Sequence, residues 1–159
     1  MNTCMNRFRV LALCGMALSI AAPSVAQTDA ADKNTGAQVI YFDAAKVNAS
    51  FEKGSPLFAG TPDGHYTILT ARRDKPGQSE LHAKDTDIIY VVEGTATFVT
   101  GGEMVEGKTT APDEIRGASI KDGTSRKLAK GDVIVVPNNT PHQFVEANPP
   151  FLYFVVKVR

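Results

Sequence analysis

Glu80, His82 and Asp87 are the residues of this chain whose types and spacing point most directly to chemistry. Glu80 and His82 are two apart, so in a strand their side chains leave the same face. Asp87 follows a short polar turn, Lys84-Asp85-Thr86, where the chain can double back and aim a carboxylate at the same spot. An imidazole and two carboxylates converging from one hairpin supply three donors for a divalent metal ion. The fourth has to come from elsewhere, and His142 is the candidate. It follows a Gly131-Asp132 turn, the aliphatic run Val133 to Val136, and a rigid turn from Pro137 to Pro141 that delivers the imidazole inward.

The elements that must position these groups are short and separated by turns. Ile88 to Val92 reads as a buried strand ended by Gly94, and Thr95 to Thr100 as its hairpin partner. His65 to Arg73 alternates as a strand, and Lys75-Pro76-Gly77-Gln78 forms a tight turn. Lys127 to Ala129, Val133 to Val136, His142 to Val145 and Phe151 to Val158 continue the series. Residues 103–125 lack a clear period and read as a long loop with a short strand at Ile115 to Ile120, either overhanging a pocket mouth or a tolerated surface insertion. Before the strands, Val39 to Phe42 reads as a short edge strand. Asp43 caps a helix through Phe51, with Val47 and Phe51 on one face and Gly54 as its stop. Short strands in such number predict an all-β sandwich or closed barrel with the helix braced on its exterior.

On two spaced motifs the chain resembles a cupin. The second motif of that family runs G, five residues, P-x-G, two residues, H, three residues, N. Gly131, Pro137, Asn139 and His142 reproduce its spacing, with Asn in the Gly slot and Glu146 in the final Asn slot. Asn tolerates the left-handed backbone that Gly supplies there. In the first motif, six residues back from Gly94 stands Asp87 in the slot of the family's Glu. Four residues further back His82 fills the second His slot, with Glu80 in the first. The alternative register, His82 then Lys84, puts a protonated lysine where a ligand is needed. The resemblance covers roughly Ala71 to Val156 and implies a double-stranded β-helix, or jelly-roll, barrel with Glu80, His82, Asp87 and His142 as metal ligands. Two carboxylates in place of the family's usual three His and one Glu favour Mn, Fe, Ni or Zn over Cu(I). They would also cancel the charge of a divalent ion, leaving it less able to polarise a bound water.

Composition sets the class. The chain has 159 residues, 43% of them hydrophobic, with no Trp, 13 Gly and 9 Pro, which suits one turn-rich β domain. Seventeen basic residues balance seventeen acidic ones without a basic run, which argues against nucleic acid as a partner. Residues 1–26 read as a secretory signal peptide: Arg7 and Arg9, an apolar run from Val10 to Ala22, and small residues at Ser24-Val25-Ala26, with cleavage after Ala26. The apolar run is well short of the roughly 20 residues that span a bilayer. Residues 27–38 read as a disordered lead-in and 39–159 as a single barrel domain. Cleavage would remove Cys4 and Cys14, the only two cysteines, so no disulfide or thiolate chemistry would remain. The expected product is periplasmic or secreted and free of the membrane.

Two functions fit. One is a small metal-dependent enzyme of isomerase, lyase or dioxygenase type acting on a small oxygenated molecule, with Glu80 and Lys84 as catalytic candidates. Lys84 continues the parity of Glu80 and His82, against the simpler reading of a solvated turn residue. The other is a binding module for a sugar or organic anion whose metal site is degenerate or absent. Phe144 shares the parity of His142 and is expected to wall the pocket. Of Arg72 and Arg73 one must point inward, to hold an anionic substrate or to pair with Asp74 or Glu80. His65 is expected at an exposed or wall position. By the family resemblance a homodimer is expected.

Overall fold

Apolar residues at every second position build the strands, and two breaks in that alternation shape the barrel. The computed structural model describes residues 39–61 and 64–159. The expected signal peptide and lead-in, residues 1–38, lie outside the described residues. Helix α1 (Ala44–Lys53) forms where Asp43 accepts a hydrogen bond from the Lys46 amide at its start and left-handed Gly54 closes its end. Its buried Phe51 stacks edge-on against Phe154, ring centroids 5.0 Å apart, so the helix braces the outside of the sheet. Val39 to Phe42 form no strand.

Eleven strands follow among the described residues: β1 (Pro56–Phe58), β2 (Tyr66–Arg73), β3 (Ser79–His82), β4 (Thr86–Thr100), β5 (Glu103–Val105), β6 (Lys108–Ala111), β7 (Glu114–Gly117), β8 (Ser119–Lys121), β9 (Thr124–Ala129), β10 (Val133–Val136) and β11 (His142–Val158). Nine form one antiparallel sheet that curls into a jelly-roll barrel, and β5 pairs with β8 apart from it. The expected fold class is the observed one. Ile89, Val91, Phe98, Phe144, Phe151 and Tyr153 fill the interior.

Three local expectations are corrected. Glu93-Gly94 is not a hairpin turn: β4 runs straight through it, pairing with β10 before the glycine and β9 after it. Inward residues change from odd (Asp87, Ile89, Val91) to even (Ala96, Phe98) across this point, which requires one extra residue, a bulge. Likewise, the segments from His142 and from Phe151 are one strand, β11, with register shifts between Asn148 and Tyr153 opposite the same place. Residues 103–125 are not a loop but β5 to β8, of which β7 pairs with β3 along its length. Gly and polar residues hide that pairing from a periodicity reading.

Gly94 has φ +81°, and a Cβ there would run into the Pro150 carbonyl oxygen and stand 3.1 Å from Phe151 Cα. Gly94→Ala is therefore expected to lose about 2–4 kcal/mol, from left-handed strain plus overpacking. Urea unfolding of the variant beside the parent measures it; an unchanged midpoint would mean the bend does not need a glycine.

Candidate metal centre

His142 opens β11 and Glu80 lies directly across from it on β3. His82, two residues on, shares Glu80's face. Asp87 comes from the start of β4, which pairs with β10 and β11 and not with β3. The three residues around the Lys84 turn thus do not form one hairpin. They meet because β3 and β4 both flank β11.

One ligand atom each from Glu80, His82 and His142 lies within 4.8 Å of the others. His82 Nε2 is 3.8 Å from Glu80 Oε2 and 3.4 Å from Asp87 Oδ2, and His142 Nε2 is 3.9 Å from the same Asp87 oxygen. Donors around a tetrahedral ion with ~2.1 Å bonds stand about 3.4 Å apart. The nearest of these separations are at or slightly above that figure, so the donor set fits a divalent ion with small adjustments. Both His82 ring nitrogens are buried without a hydrogen-bond partner among the described residues, a costly state that an ion on Nε2 would relieve. Glu80, His82 and His142 thus form one mutual cluster, and Asp87 joins it through His82 and His142.

The surroundings orient both rings. His142 Nδ1–H donates to the Thr140 carbonyl at 3.0 Å, which leaves Nε2 with its lone pair toward the cluster. Burial pushes the His142 pKa down from 6.5, outweighing the upward pull of Thr140 and of the Asp87 and Glu80 charges. Burial also pushes His82 down, but here the Asp87 carboxylate and the Glu114 charge outweigh it, and the pKa ends above 6.5. Burial would raise Asp87, yet His82 and Lys157 hold it below its ordinary 3.8.

Four further residues complete the site, and the sequence reading did not place them there. Glu114 Oε1 lies 3.0 Å from His82 Nδ1 without full hydrogen-bond alignment, and Arg116 donates to Glu80 Oε1 at 2.9 Å; both come from β7. Glu114 and Arg116 are two apart, the same face signal that singled out Glu80 and His82, but they lay in a stretch without apolar alternation. Lys157 donates to Asp87 Oδ1 at 2.8 Å. Tyr153 accepts from Arg73 Nε at 2.8 Å, and its burial pushes the phenol pKa above 10.

A cavity of about 350 Å³ opens above the cluster, with Glu80, Asp87, His142 and the expected Phe144 in its wall. Arg73 is the inward arginine, while Arg72 pairs outside with Asp74 at 3.3 Å. Lys84 does not line the cavity: β3 ends at His82, so the parity does not carry on. Its side chain is 65% exposed and its ammonium 3.0 Å from Asp113. His65 is exposed at the foot of β2.

The family model for Cupin matches residues 63–159. The chain belongs to the cupin family. No curated protein matches it by sequence. Among solved cupin-fold structures, BH2720 from Bacillus halodurans has a TM-score of 0.53 at 12% identity, over 81% of this chain and 86% of its own. KdgF from Halomonas sp. gives 0.44 at 22%, over 63% and 72%. Streptomyces Pac13 with uridine gives 0.44 at 17%, over 64% of each chain. As a cupin the chain departs from the common three-His, one-Glu pattern by offering two imidazoles and two carboxylates at the cluster.

The opposite shifts of the two imidazoles make a prediction for the chelator-treated protein. At pH 6.5 His82 is expected more than half protonated and His142 less than half. A protonated His82 adds stability that is complete below 6.5 and is lost as the pH rises through its folded value. A neutral His142 adds stability that is complete above 6.5 and is lost as the pH falls through its own. NMR titration of the ring protons reads both, and coincident midpoints would contradict the assignment.

Proposed function

We propose that this cupin is an exported, metal-dependent enzyme acting on a small oxygenated molecule bound in the barrel cavity, with proton-transfer chemistry of isomerase or lyase type. The observation that carries the reading is the convergence of two buried imidazole nitrogens with the Glu80 and Asp87 carboxylates at the cavity wall, where His82 Nε2 has no hydrogen-bond partner among the described residues. Glu80, His82 and His142 hold the ion, and Asp87 is the fourth donor. A bound divalent ion supplies Lewis-acid polarisation of a substrate oxygen.

The chain's own residues do the rest. Tyr153 keeps its proton because burial raises its pKa, and since its oxygen already accepts from Arg73, its O–H is left to donate into the cavity. Phe144, Leu69 and Val155 line the cavity and keep the substrate in an apolar setting. Lys84, exposed and paired with Asp113, has no part in this chemistry. Export and a periplasmic or secreted location follow from the leader-like residues 1–26.

One observation favours the second reading, a metal-free binder of a small molecule. Glu80 is tied to Arg116 at 2.9 Å and Asp87 to Lys157 at 2.8 Å, so both carboxylates are charge-compensated without an ion.

Elemental analysis of protein from its native compartment, followed by Mn(II) and Zn(II) titration, separates the two. About one divalent ion per chain is expected. His142→Ala and Glu80→Ala should each weaken binding about 100-fold or more, and Glu114→Gln, which removes the negative charge beside His82 Nδ1, about 10-fold. Absence of any bound metal in native and reconstituted protein would leave the binder.

A further inference from the structure

Every carboxylate around the cluster already has a cation. Glu80 faces Arg116 at 2.9 Å and Arg73 at 3.6 Å, Glu114 faces Arg116 at 3.4 Å, and Asp87 faces Lys157 at 2.8 Å. Three acids (Glu80, Asp87, Glu114) stand against three bases (Arg73, Arg116, Lys157), and metal-bound imidazoles are neutral. The two carboxylates expected to cancel the ion's charge are thus already balanced, and a divalent ion would bring two positive charges that no protein group offsets. In a site this buried such a surplus selects a negatively charged ligand.

Arg73 is the group placed to receive it. Its guanidinium lies in the cavity wall, stacked 4.7 Å from the centroid of the Phe144 ring. Only Nε is committed to a short hydrogen bond, to Tyr153. Its contact with Glu80 is long, and Glu80 has the nearer Arg116. Of five N–H donors in a planar fork, most remain to be matched.

The neighbouring loop is shaped around this guanidinium. Gly77 has no left-handed φ, so its backbone does not call for glycine, but a Cβ there would overlap Arg73 Nη1. The loop cannot move aside, because the Gly77 amide donates to the Phe144 carbonyl at 3.0 Å and its carbonyl accepts from Gln143 Nε2 at 2.9 Å. A side chain at this position would displace the arginine and not the backbone.

We infer that the cavity takes a small organic carboxylate, its carboxylate forked onto Arg73 and its apolar body against Phe144 and Leu69. Planar pairing with one guanidinium between apolar walls suits a carboxylate better than a phosphate, which calls for several cations or a nest of amides. The charge argument rests on the metal reading proposed above; the shape of the Arg73 pocket does not.

The test uses benzoate and its neutral counterpart benzamide as probes on the full chain, with and without Mn(II), while manganese affinity is followed separately by electron paramagnetic resonance. Benzoate should bind the manganese form about tenfold or more tighter than benzamide. Arg73→Met and Gly77→Ala should both abolish that preference while manganese still binds, in Arg73→Met at least as tightly as in the parent because a positive charge beside Glu80 is gone. If manganese binds but benzoate shows no preference, or Arg73→Met leaves the preference intact, the anion anchor is wrong and the metal centre stands. If manganese does not bind but an Arg73-dependent preference persists, the metal centre is wrong and the anchor stands. Loss of both would retire the two together.

Discussion

The barrel and its site depend on the pairing of β11 with three other strands. Its first half lies against β3 and the far end of β4, and its second half between β2 and the near end of β4. This strand carries His142, Phe144, Phe151, Tyr153 and Lys157, and so supplies a metal-type donor, much of the aromatic interior, a buried phenol and the counter-ion of Asp87. A strand flips its faces with every residue of slip, so the register that sets His142 across from Glu80 also decides which residues line the cavity. Register is not free along β11, because the bulges near Gly94 and Asn148 switch the inward parity on both paired strands at the same place. The metal cluster and the aromatic interior both straddle that switch: His142, Phe98 and Phe144 lie on one side, and Asp87, Phe151 and Tyr153 on the other.

Burial of charge is the second constraint. Ionised carboxylates inside a barrel are costly unless paired, and here Glu80 and Asp87 are each paired to a cation from another strand. The pairs hold the site together without an ion. They also change the meaning of the carboxylate-rich ligand set. Glu80 and Asp87, taken by themselves, would neutralise a divalent ion; Arg116 and Lys157 undo that, and the cavity becomes a place where positive charge is in excess once metal enters. Two neighbouring cupins with different cations behind the same ligands would therefore differ in what they attract.

Arg73 joins the two constraints. It is fixed by Tyr153 from β11, by the Phe144 face and by the space left at Gly77, and it points into the same cavity as the cluster. The loop bearing Gly77 is held to β11 by two hydrogen bonds, so the strand that places His142 also fixes the space around Arg73.

The sequence by itself determined what depends on neighbours in the chain. Asp43 and Gly54 bounded the helix, alternation marked most strands, and the spacing of Gly131, Pro137 and His142 and of Glu80, His82, Asp87 and Gly94 gave the family and the four converging donors. Tertiary structure decided the rest. Lys84 fell outside because a bend ended the alternation at His82, and β4 and β11 each proved continuous because a bulge can stand where a turn was read. Arg116 reaches Glu80 from 36 residues away and Lys157 reaches Asp87 from 70. Such partners are chosen by strand register across the sheet, and local sequence carries no record of which strand will lie alongside. The donors were therefore legible and their charge balance was not, because a ligand is a property of one residue while its counter-ion is a property of the fold.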